Sequence, residues 1–159
     1  KMAADGVDGF AAFAKEDDPR NWFLVPLAGR KLGAAESGTG GFAEFVGALD
    51  NKKIQFCAIK VAAVDEQENV TSKRQKVVRI DWIGPNVSPL GRGAALQNKP
   101  HVAAAYQGCQ AEIQSDGDMS MLTPKFVCQK LLKAGGAHKP TYYDFGDQQI
   151  PLADLYEEA

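Results

Sequence analysis

The chain of 159 residues has little of the chemistry that catalytic and metal sites require. Histidine occurs only at His101 and His138, and cysteine only at Cys57, Cys109 and Cys128. The cysteines show no CxxC spacing and their number is odd, so we expect buried free thiols in a reducing compartment rather than a disulfide framework or a zinc site. Nothing in the sequence brings a histidine to a cysteine, as a nucleophilic Cys–His pair requires.

Motifs for cofactor, phosphate and metal binding are missing as well. The glycine clusters "SGTGG" (37–41) and "GRGAA" (91–95) lack both the Lys-Ser/Thr of a phosphate-binding loop and the strand–GxGxxG–helix context of a dinucleotide site. Flexible loops are therefore the simpler interpretation of both clusters. No HExxH or calcium-loop spacing occurs. We predict that the protein is not an enzyme and binds no metal or cofactor.

Long apolar runs and an excess of positive charge are also absent. No run approaches the ~18 to 20 apolar residues of a membrane span, and residues 1–10 lack the apolar core of a secretory signal. The net charge is −2 and the pI is about 5.7. This balance argues against bulk binding to nucleic acid or membranes, which usually needs a basic domain. A local basic patch for an acidic partner stays possible, and we expect a cytoplasmic protein.

The hydrophobic residues, which make up 45% of the chain, predict a layered α/β fold. Their spacing gives the element order α, β, β, α, β, β, α, β, α. The strand predicted over 53–64 is apolar on both of its alternating faces, so helices should cover both sides of a mixed sheet. We expect Phe56 and Trp82 in the core. The segment 137–159 shows little periodicity and is expected to be mobile or loosely docked.

Positive charge is concentrated in "SKRQKVVRIDW" (72–82), which contains four cations: Lys73, Arg74, Lys76 and Arg79. The polar stretch 65–72 is predicted to be a hairpin loop and 76–84 the strand that follows. The cations would then lie where a loop becomes a strand. Taken by itself, this pattern fits either a solvated junction or a docking patch for an acidic partner.

A second basic segment ends the last predicted helix. Thr123 is a suitable N-cap and Pro124 fits the first helical position, so we predict a helix over 123–133. Its apolar stripe should face the core, while Lys130 and Lys133 should face water. The two glycines that follow Ala134 are a typical helix stop.

Both basic segments resemble those of the coactosins, which belong to the actin-depolymerising-factor homology superfamily. "SKRQKVVRIDWIGPNVS" (72–88) is similar to the coactosin loop and strand that end in Trp-Ile-Gly-x-Asn-Val-Ser, and "KFVCQKLLKAGG" (125–136) keeps the family's phenylalanine and its terminal Lys-Ala-Gly-Gly. The resemblance implies a single actin-depolymerising-factor homology domain over 3–136. Its central mixed β-sheet of five or six strands would be sandwiched between helices, and the tail 137–159 would follow.

Coactosins bind the sides of actin filaments, bind monomers weakly or not at all, and can oppose barbed-end capping. The resemblance therefore implies a monomeric, non-catalytic protein whose partner is filamentous actin and whose place is the actin cytoskeleton. Lys76 matches the family's key filament-contact lysine and Lys133 its terminal helix lysine, with Lys130 nearby. Leu132 stands where the family often has a further lysine. Lys73 and Arg74, on the side predicted to be mobile, should steer the encounter more than they anchor it.

Two alternatives to filament binding stay open. The superfamily binds monomers through a long helix that would start in "PLGRGAALQNKPHV" (89–102), where Arg92 and Lys99 match basic positions. Glycines and Pro100 lower the helical propensity of this stretch, so we expect poor monomer binding rather than a cofilin-type monomer-binding or severing protein. The second alternative is a signalling adaptor that uses the fold and the tail to bind a protein other than actin. No aromatic residue lies among the basic residues 73–76 to stack a base, which disfavours nucleic acid.

Overall fold

The computed structural model describes residues 6–136 and 139–156. The helices are α1 (Phe10–Phe13), α2 (Gly41–Gly47), α3 (Pro89–Ala105) and α4 (Pro124–Ala134). The strands are β1 (Trp22–Ala28), β2 (Lys31–Leu32), β3 (Glu36–Gly38), β4 (Ile54–Gln67), β5 (Val70–Ile83), β6 (Ala111–Ser115), β7 (Tyr142–Asp144) and β8 (Gln149–Pro151). Short 3-10 helices occupy Val7–Gly9, Met119–Met121 and Leu152–Tyr156.

The strands form one mixed sheet with helices on both sides, which confirms the predicted fold class. The main order is β2-β1-β4-β5-β6, β3 pairs with β1, and β7 pairs with β4 and β8. The β5–β6 pair is parallel, and the other pairs are antiparallel. Over residues 6–136 and 139–156 the sheet has eight strands, more than the five or six expected. Strands of two or three residues carry too few positions for a sequence period to reveal them.

Each face of the sheet supports its own hydrophobic core, as the two apolar faces of β4 predicted. On one face, Cys57, Ile59 and Val61 pack with residues of α2, α4 and the C-terminal segment. On the other face, β4 contributes Ile54, Phe56 and Ala58, which pack with the N-terminal helical residues and α3. We call these the α4 side and the α3 side. Phe56 and Trp82 are each 1% exposed, which confirms their predicted place in the core.

The hairpin of β4 and β5 is much longer than the sequence indicated. The two strands stay paired from Ile54↔Ile83 to Gln67↔Val70. The predicted hairpin turn does lie within 65–72, at Glu68 and Asn69. The predicted length of the loop is wrong, because backbone pairing does not require apolar side chains and the rest of the stretch is paired. We call Ile54–Lys60 with Val77–Ile83 the inner half of the hairpin, and Val61–Gln67 with Val70–Lys76 the outer half.

Helix α3 is continuous over 17 residues, although it contains Pro100. The Ser88 hydroxyl accepts a hydrogen bond from the Gly91 N–H at 3.2 Å, and a proline occupies the first turn. Buried residues of the helix, including Ala95 and Val102, pack on the sheet. Packing and a good N-cap therefore outweigh the low helical propensity on which the expectation of poor monomer binding rested.

The segment 139–156 is docked on the domain, unlike the mobile or loosely docked tail that the sequence suggested. Strand β7 pairs with Ala62–Val64 of β4, and Tyr143, Phe145 and Leu155 are buried on the α4 side. The Asp147 carboxylate accepts hydrogen bonds from the backbone N–H groups of Phe42 and Ala43, at 2.9 and 3.1 Å, where α2 begins. Residues 137–138 and 157–159 lie outside the described part, and the division of the chain at residue 136 stays a prediction.

Candidate functional site

The outer half of β5 carries Lys73, Arg74 and Lys76, which lie opposite Val64, Ala63 and Val61 of β4. Side chains alternate along a strand. Arg74 and Lys76 therefore share the α4 side with Val78 and Trp82, and Lys73 lies on the α3 side. The predicted cluster is thus divided between the two faces of the sheet.

The backbone of Lys73 and Arg74 belongs to a paired strand and not to a loop. The expectation that they lie on a mobile side of the junction is therefore wrong. Both side chains are exposed, whereas that of Lys76 is half-buried. Because the backbone of all three residues is fixed, the ordering cost of binding falls mainly on the side chains.

Lys76 lies where the buried part of β5 ends. Val78, two residues along on the same face, is fully buried, whereas Arg74 on the other side is exposed. A lysine at such a boundary can cover apolar surface with its stem while its ammonium group reaches water. Within residues 6–136 and 139–156, no hydrogen bond or ion pair occupies the Lys76 side chain, so its charge is available to a partner.

Helix α4 adds two cations on the same side of the sheet. Its buried face, formed by Val127, Cys128 and Leu131, packs in the core that also contains Val61 and Val78. The Lys130 Nζ lies 5.9 Å from the centroid of the Phe126 ring, a cation–π contact that holds the half-buried side chain against the helix. Lys133 is exposed in the last turn, where the helix dipole favours a cation.

The Thr123 hydroxyl accepts a hydrogen bond from the Phe126 N–H at 3.1 Å, and Pro124 begins α4, as predicted. The α4-side surface, defined as Arg74, Lys76, Lys130 and Lys133, is therefore carried by a paired strand and a well-capped helix.

Arg79, the fourth cation of the sequence cluster, is part of the core. Its Nε and Nη2 donate to the two carboxylate oxygens of Asp81 at 2.9 and 3.0 Å, and the two side chains are 8% and 10% exposed. Burial opposes the charge of Arg79, but the hydrogen bonds to Asp81 hold its pKa above the ordinary value. Arg79 is therefore a structural residue with its charge already compensated.

Lys60 is a cation that the sequence analysis did not single out. Its Nζ donates to the backbone oxygens of Lys15 and Asp18 at 3.1 and 2.9 Å and lies 4.7 Å from the Phe13 ring centroid. Burial lowers the pKa of Lys60, and nearby Asp18 opposes that effect. The signal available in the sequence was a lone lysine inside the apolar run 54–64, which implies a specific polar contact.

The remaining predicted residues, Arg92 and Lys99, lie on α3 and therefore across the sheet from the α4-side surface. Arg92 is exposed in the first turn of the helix. The Lys99 ammonium donates to the Gln114 side chain of β6 and borders an open groove of ≈ 540 Å³ between α3 and β6. Leu90 and Leu96 on the same helix are 80% and 67% exposed, so α3 presents apolar as well as basic residues.

Reactive groups are few in the described part of the chain. Burial raises the pKa of the thiols of Cys57 and Cys128, and that of Cys109 to about 11, so all three are protonated at neutral pH. His101 is exposed, and His138 lies outside the described residues. Over 6–136 and 139–156 there is no group of three or more potential ligands placed to hold a metal ion, and no helix there has the length and apolar character needed to cross a bilayer.

The fold and the sequence identify the class of protein. The family model described as Cofilin/tropomyosin-type actin-binding protein matches residues 3–131, and the chain belongs to this family. The resemblance to coactosins is confirmed by solved structures. Coactosin from Entamoeba histolytica superposes with a TM-score of 0.69 at 21% identity, covering 84% of this chain and 94% of that one. Human coactosin-like protein gives a TM-score of 0.65 at 25% identity, covering 82% and 86%.

Coactosins and drebrin-like proteins are among the sequence relatives of this chain. Coactosin of Dictyostelium discoideum is 28% identical over 62% of this chain and 66% of its own length. Drebrin-like protein of Mus musculus is 26% identical over 95% of this chain but only 35% of its own length. The chain therefore spans about a third of the length of the drebrin-like proteins it matches.

Proposed function

We propose that the protein binds the sides of actin filaments through the α4-side surface, with Lys76 as its main anchor, and that it does so without catalysis. The observation that supports this most is the geometry of Lys76, whose charge is uncompensated within the described residues and whose backbone is fixed in a paired strand. Lys130, Lys133 and Arg74 lie on the same side of the sheet. Mouse coactosin, an actin filament binding protein, shares this fold with a TM-score of 0.62 at 23% identity.

Filament co-sedimentation at two salt concentrations tests this proposal. Salt shortens the Debye length from ~10 Å at 0.1 M to ~3 Å at 1 M. Exposed lysine and arginine contacts should weaken accordingly, so pelleting should fall as salt rises through about 0.3 M. Binding that grows stronger with salt would indicate an apolar interface and contradict the proposal.

Two variants, each with several alanine substitutions, test which face of the sheet binds the filament. Replacing Arg74, Lys76, Lys130 and Lys133 by alanine should abolish pelleting. The matched variant on α3, Arg92→Ala with Lys99→Ala, should pellet like the wild type. The proposal fails if the α3 variant loses filament binding and the α4-side variant keeps it.

Opposition to barbed-end capping is the further activity that a filament-side binder of this family could have. We propose that occupancy of the filament side by this protein hinders capping, and that the protein acts as a monomer at the actin cytoskeleton. Elongation of filaments in the presence of a capping protein should then continue longer when this chain is added. If the chain pellets with filaments but elongation stops at the same time as without it, the capping part of the proposal is wrong.

Monomer binding of the cofilin type is the second candidate, because α3 is intact. Its unbroken 17 residues, with exposed Leu90 and Leu96 and the cation Arg92, remove the expected reason for poor monomer binding. We still propose that monomer binding is weak, since Gly91 and Gly93 leave two positions of the first turns without side chains. Nucleotide exchange on actin monomers separates the two candidates. A rate changed by the wild type, and restored by Arg92→Ala with Lys99→Ala, would favour the cofilin type.

The adaptor alternative has less structural support than the sequence suggested. The tail segment 139–156 is bound to the domain: β7 pairs with β4, β8 pairs with β7, and Asp147 accepts a hydrogen bond from α2. A tail used in this way is less free to bind a separate protein. The adaptor would be favoured if the chain failed to pellet with filaments and bound a protein through residues 139–156.

A further inference from the structure

We infer that the free edge of β5 over Thr71–Gln75 is a strand-addition site for an extended, acidic peptide. Strand β5 has 14 residues, but β6 pairs only with Val78–Trp82. On the other side of the hairpin, β7 covers the same outer half by pairing with Ala62–Val64 of β4. The outer half is thus completed by a third strand on the β4 side and left open on the β5 side. This binding does not depend on the proposed filament contact.

The direction of the backbone groups identifies the open positions. The backbone N–H of Lys60 donates to the backbone oxygen of Asn21, on the side of β4 that faces away from β5. The backbone groups of even-numbered residues of β4 therefore point away from β5, and those of odd-numbered residues bond to it. In the register Val61↔Lys76 and Ala63↔Arg74, the backbone groups of Lys76 and Arg74 are therefore used within the hairpin. Those of Thr71, Lys73 and Gln75 point outward.

Contacts of Val77 confirm this direction and mark where the open edge begins. The Gln110 N–H donates to the Val77 oxygen at 2.8 Å, and the Val77 N–H donates to the Gln110 side-chain oxygen at 2.6 Å. Gln110 therefore supplies the last rung before β6 starts. Beyond it, no described residue bonds to the outward backbone groups of Thr71, Lys73 and Gln75.

Space and charge at this edge suit one kind of occupant. An open groove of ≈ 520 Å³ lies there, bordered on one side by Lys73, Arg74 and Gln75 and on the other by the Gln107–Gln110 turn. An extended segment of six residues is about 20 Å long and would continue the line of β6. Lys73 on one face of the strand and Arg74 on the other would meet carboxylates whichever way the peptide's side chains point. Glu16 is the acidic residue that lines the groove.

A second copy of the chain is a poorer occupant. Pairing of two such edges would place the cations of one β5 against those of the other, and like charges directly opposite each other destabilise a strand pair. Charged side chains are also a common protection of exposed edges against pairing with like edges. The same cations would attract an acidic segment, and for that reason we favour an acidic peptide as the partner.

The test uses the full chain and an acetylated, amidated peptide of alternating glutamate and valine. We expect its addition to increase hydrogen-exchange protection of the Lys73 and Gln75 amides and to leave the Arg74 amide unchanged, since that amide already bonds to β4. The same peptide with every backbone amide N-methylated keeps its carboxylates but has no N–H donors. It should bind at least roughly tenfold more weakly, because several hydrogen bonds are lost.

A protein variant provides the reciprocal control. Thr71→Pro removes one outward N–H without changing the charge, and proline is tolerated on a free edge, whereas Thr71→Ala keeps the N–H. Only Thr71→Pro should weaken peptide binding. The inference is wrong if the N-methylated peptide binds equally well, if protection appears elsewhere, or if the unmodified peptide does not bind. Concentration-dependent dimerisation that protects the same amides would assign the edge to a second copy and overturn the peptide assignment.

Discussion

The two halves of the β4–β5 hairpin are continuous in sequence and differ in what they do. In the inner half both faces are covered, and even the charged pair Arg79 and Asp81 is almost fully buried. In the outer half, Lys73 and Arg74 are exposed and Lys76 is half-buried. A cation at position 79 therefore contributes to the fold, whereas one at position 76 is available to a partner. What separates them is how far the covering helices extend along the strands.

Among substitutions that test the contrast between the two halves, we expect the largest loss of stability at Trp82 in the inner half. Trp82 is 1% exposed, and its Nε1 donates a hydrogen bond to the backbone oxygen of Asp50 at 2.9 Å. Trp82→Ala should lower the free energy of unfolding by about 3 to 5 kcal/mol, because it leaves a large cavity. Val70→Ala in the outer half, where the side chain is 64% exposed, is the control and should change little. Equal denaturation midpoints for Trp82→Ala and the wild type would refute the contrast.

Breaking the buried ion pair should have the next largest effect. Arg79→Ala leaves the Asp81 carboxylate buried without its partner, which should cost about 3 kcal/mol or more in urea denaturation. Lys73→Ala, a cation on the same face of the same strand but in the outer half, should stay within about 0.5 kcal/mol of the wild type. Similar losses from both substitutions would show that the distinction between structural and available cations does not hold.

Lys76 itself should affect binding and not stability. Lys76→Ala should keep the melting temperature, since the change in unfolding free energy is expected within about 0.5 kcal/mol. Loss of an anchoring charge should cost roughly 2 kcal/mol of filament binding, a weakening of about thirtyfold. Co-sedimentation at physiological salt measures it, with Lys139→Ala in the exposed part of the tail as the control. Full pelleting of the Lys76 variant would mean that the anchor is elsewhere.

The smallest effect concerns the tail segment that supports the outer half. Asp147→Asn weakens two hydrogen bonds at the start of α2 and should cost about 1 kcal/mol, the usual value of a lost helix cap. Burial opposes the charge of Asp147, but the N–H groups of Phe42 and Ala43 hold its pKa below the ordinary value of about 3.9. Asp116→Asn, at an exposed aspartate, is the control.

The low pKa of Asp147 also gives a pH dependence. A carboxyl group whose pKa is lower in the folded state stabilises the protein above its unfolded pKa, and this stabilisation is lost as pH falls through the folded value. The difference in urea midpoint between wild type and Asp147→Asn should therefore be full at pH 7 and should shrink below about pH 4. A difference that grows in acid would contradict the role of the ionised carboxylate.

By itself, the sequence determined the layered architecture, the apolar faces of the central strand and the start of the last helix. The double apolar alternation of β4 predicted a sheet covered on both faces, and Thr123 with Pro124 predicted the start of α4. These predictions succeeded because each rests on local periodicity or on a local hydrogen bond. The motif around Lys76 also sufficed to indicate the family, since it is a contiguous stretch.

Tertiary structure alone decided where that architecture ends and which charges are available. Most of the polar stretch 65–72 is paired because β4 and β5 continue towards the turn at Glu68 and Asn69. Helix α3 is unbroken because Ala95 and Val102 pack on the sheet. Likewise, β7 forms because β4 offers it an edge, and Asp147 reaches α2 across more than a hundred residues of sequence. The cations of 73–79 look alike along the chain, but the covering helices bury Arg79, leave Lys76 at the boundary and expose Lys73. Burial and pairing depend on contacts distant in sequence, and for that reason no local pattern could have revealed them.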